Sequence, residues 1–441
     1  MKTKLTEMFG IEYPIVQSGM QWLAVPQLAA AVCNAGGIGT INVTCWPTLD
    51  EFADALDEMN SLTNKPYIVN ISLAPTQRLD NEEIRKTIRL CGEKHVAAIE
   101  TSAEDPREFI ADIKSAGMCH FHKCPNYKVS MSMERKGLDG VIIAGYEVGG
   151  HPSADGVGTF VIARRCAADM KIPVIAAGGI ADGHGLAAAL ALGASGVAMG
   201  TRFVCVDECP ISDNHRQWVI NHTEKDTVLC QKTIGSMMRV SKNNASLLAN
   251  EIENRGLRTG KGPMDILKEQ MPVITGQKTR VAFQDGNVDS AIFCAGMGMG
   301  LVHDVVPVKV LLDRMVKEAE AHEAEDKKRK EDAETRNQAE SFAYQTEKLV
   351  NDNKDKLSDD VAKEVTDKVN ELKEALKGED IEKIKSAQSE LMTSAQKIGQ
   401  ALYAQQGAAD AAGAAGAAGS APADDDVVDA EVVDDDDKDN K

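Results

Sequence analysis

A chain of 441 residues is long enough to build two or three domains around a sizeable core. Its formal net charge of −19 excludes the basic footprint of a nucleic-acid binder, and the opening MKTKLTEMFG has no apolar signal core. No apolar run reaches the length of a bilayer span, and ten cysteines without a CxxC spacing suit neither a disulfide framework nor a zinc site, so a soluble, cytoplasmic protein without membrane contact is expected.

Strand-like and helical runs alternate from the start. Pro14–Gly19 (PIVQSG) reads as the first strand and is followed by a helix around Leu28–Asn34. Gly37–Val43 is the second, followed by Leu49–Leu62, whose apolar residues recur at helical spacing. Tyr67–Leu73 (YIVNISL) is the third, with a helix over Asn81–Lys94. Val96–Thr101 and Met118–Lys123 are the fourth and fifth, with helices over Pro106–Ala116 and Tyr127–Lys136. Gly140–Ala144 (GVIIA) is the sixth, followed by the glycine-rich loop Gly145–Gly158 and a helix over Phe160–Met170. Val174–Ala177 and Gly196–Met199 are the seventh and eighth; each ends in a glycine turn, and an Ala/Leu helix lies between them. Eight β/α units at roughly 20–30-residue spacing predict an α/β fold, a (β/α)8 TIM barrel, with a doubly wound sheet as the structural rival.

After Phe203 this rhythm stops. The segment 205–286 reads as a small helical cap domain inserted near the barrel mouth, and 287–314 returns the chain to the barrel formed by 1–204. Near Arg314 the composition changes to Glu, Lys, Asp, Gln and Ala. Lys317–Asn353 reads as one long charged helix. Two more follow, with apolar stripes at Val361, Val365, Val369, Leu372 and Leu376 and at Ile384, Leu391, Ile398 and Leu402. Gly378 can stop the first of these and Asp380 can cap the second. Residues 315–405 therefore predict a helical bundle, and 406–441, Ala/Gly-rich and then acidic, predict a disordered tail.

The chemistry-bearing residues gather at strand ends. Gly178-Gly179 and Gly200-Thr201 close the seventh and eighth strands, where backbone N–H groups backed by a helix N-terminus make a phosphate site. Gly149-Gly150-His151-Pro152 follows the sixth strand. A histidine set between glycine and proline on that loop is a candidate catalytic group or else an ordinary surface residue. Gly19-Met20-Gln21-Trp22 after the first strand and Asn70-Ile71-Ser72 at the end of the third can offer amide groups to a planar polar ring. Lys123 ends the fifth strand as a salt-bridge residue or as a cation beside a ligand. Three signals are set aside. Gly296-Met297-Gly298-Met299-Gly300 reads as glycine packing against a helix, His120 and His122 share a strand face without a third metal ligand, and the Lys327–Lys330 cluster is a solvated helix face.

With those residues in place, Met1 to about Arg314 resembles the nitronate monooxygenase family, formerly called 2-nitropropane dioxygenases. The carriers are PIVQSGMQW, VNISLAPTQ, HKC, GYEVGGHP, VIAAGGIADG and MGTRF. The resemblance implies a (β/α)8 barrel that binds FMN and an activity among nitronate oxidation, NAD(P)H:quinone reduction and FMN-type enoyl-acyl carrier protein reduction. APTQ, HKC and GHP point to the quinone-reductase branch. It implies that Gly178, Gly179, Gly200 and Thr201 hold the FMN phosphate. Gly19, Met20, Gln21, Asn70, Ser72, Lys123 and Gly149 would then line the flavin ring and ribityl chain, with His151 as the active-site histidine. Where monooxygenases often read Glu-Ala-Gly-Gly-His, this chain has Glu147-Val148-Gly149-Gly150-His151, which leaves the branch open. The region from about Met315 resembles the C-terminal lid and tail of a DnaK-type heat-shock chaperone, through RMVKEAEAHEAEDKKRKEDAETRNQAESFAY, ELKEALKGED and DDDVVDAEVV. Because only lid and tail are covered, neither ATP hydrolysis nor a peptide cleft is implied.

Three readings follow. The first is an FMN oxidoreductase of the nitronate monooxygenase type, with NADH or NADPH as reductant and a small-molecule substrate: a nitronate, a quinone or an enoyl thioester. The second is an interaction module whose C-terminal helices and acidic tail recruit a protein partner. The third is a flavin-free barrel enzyme acting on a phosphorylated metabolite.

Overall fold

The computed structural model describes residues 1–74 and 79–413; at 322–327 and 403–413 the description is limited to the helical backbone. Two compact units are present, Met1–Ala324 and Glu325–Lys441. In the first unit the elements run α1 (Lys4–Phe9), β1 (Ile15–Gln17), α2 (Pro26–Asn34), β2 (Thr40–Asn42), α3 (Leu49–Leu62), β3 (Ile68–Ser72), α4 (Asn81–Glu93), β4 (Ala98–Ser102), α5 (Ile110–Ser115), β5 (Cys119–Cys124), α6 (Tyr127–Arg135), β6 (Gly140–Ala144), α7 (Thr159–Asp169), β7 (Val174–Ala177), α8 (Gly183–Ala191), β8 (Gly196–Met199) and α9 (Thr201–Val204). There follow α10 (Asp213–Ile220), β9 (Thr227–Cys230), β10 (Met238–Ser241), α11 (Asn244–Arg258), α12 (Pro263–Ile274), α13 (Gly276–Asp285) and α14 (Val308–Asp352). The first turns of α14 belong to this unit. The second unit holds the rest of α14, α15 (Asp359–Leu376) and α16 (Ile381–Gly413).

Eight strands pair in parallel in the order β1-β8-β7-β6-β5-β4-β3-β2. The last gap, between β1 and β2, is joined by a parallel bridge from Val16 to Ile38, with Gln17 N donating to Ile38 O at 3.0 Å. The buried Gln17 side chain completes that seam, its Oε1 accepting from Thr40 N at 3.0 Å. Closure decides for the barrel and against the doubly wound rival. It also shortens the second strand relative to Gly37–Val43, because a side chain, not a backbone ladder, meets Thr40.

Side chains alternate along each strand. The inward set Val16, Ile38, Ile68, Ala98, Phe121, Ile142, Ile175 and Ala198 fills the barrel, and Leu5 of α1 plugs it from below. The outward set packs under the helices. Val308, Leu311, Leu312 and Met315 at the start of α14 are fully buried in this layer, each worth about 1.5–3 kcal/mol of burial. The first turns of α14 thus pack as a helix on the outside of the barrel. All ten cysteines are free, and burial pushes thiols such as Cys33, Cys45 and Cys124 up to about 12. Among the described residues no helix is long and apolar enough to cross a membrane.

The segment 205–286 is not wholly helical. β9 and β10 form an antiparallel pair, with Val228 opposite Val240. These are two four-residue strands joined by a long loop, so no two-residue turn signal marks them. β10 also bridges outward: Arg239 pairs with Gly150 and Val240 with Cys294, which ties the inserted segment to the barrel loops.

His120 and His122 share the outer face of β5, as expected, and Thr101 Oγ1 lies 2.9 Å from Nε2 of the first and Nδ1 of the second. Among the described residues no cluster suited to a metal is present. Burial holds His120 down to about 3 and His122 to about 4. Both are neutral in the fold, while the unfolded chain protonates them near 6.5. Below that value the unfolded state binds more protons, so this contribution is present above pH 6.5. It is lost as pH falls toward 4, by roughly 1.4 kcal/mol per pH unit for each ring. Urea midpoints measured from pH 7 to pH 4.5 are expected to fall steeply in the wild type and less steeply in His122→Leu; equal slopes would show that the pair carries no such linkage.

In the second unit, Val365, Val369 and Leu372 of α15 and Ile384, Leu391 and Ile398 of α16 are buried against Ala339, Ala343 and Val350 of α14. Asp380 caps α16, its Oδ1 accepting from Lys383 N at 3.1 Å. α16 continues to Gly413, past the expected bundle end at 405. The remainder of the expected acidic tail, 414–441, lies outside the described residues.

Candidate functional site

The C-terminal strand ends bring most of the expected residues to one mouth. Strand register sets Asn70 beside Glu100, and Ser72, Ser102 and Lys123 in successive pairs one step higher. All of these share the inward parity of Ile68, Ala98 and Phe121. Asn70 Nδ2 donates to Glu100 Oε1 at 2.9 Å, and Lys123 Nζ lies 2.9 Å from the same oxygen. Glu100 is completely buried, and its Oε2 has no partner among the described residues. Sequence reading missed Glu100. The available signal was a lone carboxylate at an inward position of an otherwise apolar strand.

Gly19 approaches Asn70 so closely that a Cβ there would sit 2.7 Å from the Asn70 side chain. Met20 lies against Gly200, its Sδ 3.7 Å from where a Cβ would be. Gln21 is exposed and turns away from this group toward the start of α13, where Gly276 also accepts from Trp22 Nε1 at 2.8 Å. Arg280 stacks over Trp22, 5.0 Å from the ring centroid. Beside them a cavity of about 420 Å³ opens, lined by Trp22, Cys45, Trp46, Pro210, Arg280 and Phe283 among others. Pro75, Thr76 and Gln77 of the APTQ motif lie outside the described residues.

The other half of the mouth is built by glycine turns. Gly178 and Gly179 have φ of 111° and 72°, a region closed to most side chains. The GMGMG segment packs against α9 and α10, as expected of glycine against a helix, and also against these turns. Gly296 N donates to Thr201 Oγ1 at 2.9 Å, Met297 N donates to Glu147 O at 2.9 Å, and Gly298 lies against Gly179. Gly149 leaves no room either, since a Cβ there would sit 2.8 Å from Gly296 N. Glu147 caps α7, its Oε2 accepting from Thr159 N and Thr159 Oγ1 at 2.9 Å each.

The helix after β7 does not back the expected anion site. The first turn of α8 is already filled by carboxylates: Asp182 Oδ1 accepts from Gly185 N and Glu318 Oε2 accepts from Gly183 N, both at 2.9 Å. Glu318 comes from α14, and such a long-range partner is invisible in local sequence. An anion at this mouth therefore has the glycine turns themselves, not the α8 dipole.

His151 sits on the loop after β6, exposed on one side, with Nδ1 3.1 Å from Met237 O. A carbonyl only accepts, so Nδ1 carries the proton and Nε2 of the neutral ring keeps its lone pair. Crowding by neighbouring atoms lowers the pKa below the ordinary imidazole value, opposed in part by that hydrogen bond. The ring is thus a neutral base at neutral pH. The paired strand at Gly150, with N donating to Arg239 O at 2.9 Å, holds the loop that carries it.

Comparison with known proteins gives three kinds of match. The family model described as nitronate monooxygenase matches residues 2–318, and one described as Hsp70 protein matches residues 239–404. A Rhodococcus jostii protein named (3aS,4S,5R,7aS)-5-hydroxy-7a-methyl-1-oxo-octahydro-1H-indene-4-carboxyl-CoA dehydrogenase is 31% identical, over 72% of this chain and 96% of its own. A nitronate monooxygenase of Paraburkholderia phytofirmans is also 31% identical, over 56% of this chain and 78% of its own. The structure of FabK from Thermotoga maritima aligns with a TM-score of 0.67 and 31% identity, over 74% of this chain and 99% of that one.

Proposed function

The chain belongs to the nitronate monooxygenase family across residues 2–318, and on that footing, as a flavin-dependent oxidoreductase, we propose that it works with FMN at the barrel mouth, oxidising nitronates or NAD(P)H. The observation that carries this reading is the convergence at one mouth of two glycine turns, a buried Asn70–Glu100–Lys123 cluster and a neutral His151. The residues fit the group: the strand ends at Gly179 and Gly200 are open, a Cβ there meeting only Glu147 at 3.5 Å or Met20 at 3.7 Å, which leaves backbone free to meet a phosphate.

FMN, when bound, supplies reversible two-electron chemistry. The chain supplies the rest. Gly178, Gly179, Gly200 and Thr201 hold the phosphate. Gly19, Met20, Asn70, Ser72, Lys123 and Gly149 line the ring and ribityl chain, and Gln21 stands at the rim toward α13. Lys123 favours negative charge on its neighbour. His151 takes a proton at Nε2 from a carbon acid, with Nδ1 anchored on Met237 O.

Anaerobic mixing of the FMN-loaded protein with a nitronate, NADH and NADPH separately tests this. Bleaching of the visible flavin band by the nitronate is expected; no bleaching by any of the three would overturn the reading. A second reading, reduction of an enoyl thioester by NAD(P)H, draws support from the carboxyl-CoA name of the Rhodococcus relative and from FabK. Bleaching by a pyridine nucleotide alone, reversed by an enoyl thioester, would favour it. Return of the band when a quinone is added to the NAD(P)H-reduced protein would identify a quinone as acceptor.

For residues 315–405 we propose a DnaK-lid-like bundle that offers a surface to a protein partner, supported by the Hsp70 match and by the packing of α14, α15 and α16. Truncation after Ala324 keeps the buried α14 residues Val308 to Ala319 and is expected to leave FMN content and turnover unchanged. Loss of bound FMN would instead make the bundle part of the enzyme.

A further inference from the structure

Glu100 lies at the centre of the site yet takes no part in the chemistry proposed for it. A barrel interior is ordinarily packed with branched apolar side chains, and a carboxylate removed from water is costly unless paired and hydrogen-bonded. Here it is paired on one oxygen only. Oε1 receives both Asn70 Nδ2 and Lys123 Nζ at 2.9 Å, while Oε2 is buried without a partner among the described residues. Both partners stand on the neighbouring strands β3 and β5, and both were singled out independently as ring-lining residues. Lys123 retains 26% of its side-chain exposure, so its ammonium faces the mouth, whereas Glu100 lies wholly beneath it.

We propose that Glu100 is a positioning residue that clamps Asn70 and Lys123 beneath the flavin and offsets the Lys123 charge, so that the pair, not the lysine alone, sets the reduction potential of the bound flavin. This rests on the FMN reading above. With Glu100 ionised the floor of the site is close to neutral. Without it, Lys123 is an uncompensated cation in a poorly solvated place and attracts electrons onto the flavin. Asn70 would keep only its longer contact, Nδ2 to the Glu100 backbone O at 3.4 Å.

The test is the midpoint potential of the FMN-loaded full chain, by equilibration with a reference dye, in the wild type, Glu100→Gln, Lys123→Met and the double variant. Glu100→Gln is expected to raise the reduced-to-oxidised ratio at fixed dye potential about tenfold, roughly 30 mV for a two-electron couple. Lys123→Met is expected to lower it by a similar factor, because Glu100 is left as a lone anion. The double variant is expected to return near the wild type, since removing both charges restores neutrality. Should Glu100→Gln fail to fold, the double variant decides: a potential near the wild type supports the proposal, and one lowered as far as in Lys123→Met overturns it. A folded Glu100→Gln protein with altered thermal stability and an unmoved potential reduces Glu100 to a structural ion pair. A wild type that takes up no FMN overturns the function and this proposal together, whereas FMN uptake with unmoved potentials overturns this proposal alone.

Discussion

Replacing His151 by alanine lowers kcat/KM by about 10²–10⁴, the usual contribution of a positioned general base, and leaves FMN affinity unchanged. Among the described residues the ring makes one hydrogen bond, Nδ1 to Met237 O, and the residue is exposed on one side of its loop. Nothing in the barrel depends on it for packing, so the variant folds and the loss is read in turnover alone. The pH profile carries the sharper result. The His151 pKa lies below the ordinary imidazole value, and the base form has Nε2 unprotonated. Wild-type kcat/KM for a carbon-acid substrate therefore rises with pH through a midpoint below 6.5 and is flat above it. His151→Ala removes that limb. A profile that falls with rising pH through the same region would make His151 a proton donor, which is the role an enoyl reduction requires. A variant with unchanged turnover would remove the assignment.

The second large effect is expected from Gly178→Ala. Gly178 has φ of 111°, and a Cβ would meet Thr159 Oγ1 at 2.8 Å and Val148 Cγ1 at 3.0 Å. Thr159 cannot rotate away freely, because its hydroxyl is held between Glu147 Oε2 and Ala177 O. The turn must move, at a cost of about 1–3 kcal/mol. If the displaced turn is the phosphate cradle, that cost appears as roughly ten- to hundredfold weaker FMN binding. The control is Gly193→Ala, at a φ of 93° just past the other end of α8, where a Cβ meets only Ala167 at 3.3 Å. It is strained in the same way but is expected to lower thermal stability without touching FMN affinity. Equal FMN affinity in the two variants would take the phosphate away from Gly178.

The repeat was legible because parallel strands buried on both faces read as short apolar runs ending in glycine. β6, β7 and β8 have the residue bounds expected for them. β2 is shorter, since closure at Gln17 and Ile38 depends on a side chain meeting a backbone from another strand. The three-helix packing of the second unit was legible for a similar reason: its stripes at Val365, Val369 and Leu372 follow helical periodicity. What stayed hidden is non-local. β9 and β10 are too short and too far apart to announce a hairpin. Glu318 reaches the first turn of α8 from 135 residues away, and no local pattern could show that this helix end is already filled. The GMGMG segment was legible as glycine against a helix, and it does meet α9 and α10, but its second contact, with Gly149 and Gly179, joins loops far apart in the chain and carries no local signal. Glu100 was passed over because a single carboxylate in a strand carries no motif, and only register reveals that it lies between Asn70 and Lys123.

A flavin seated at the barrel mouth is the central proposal. Its most direct test is the visible spectrum and FMN stoichiometry of the purified full chain after incubation with FMN and removal of the excess. One FMN per chain, with the absorption band perturbed from that of free FMN, is the predicted result; a colourless protein would contradict it.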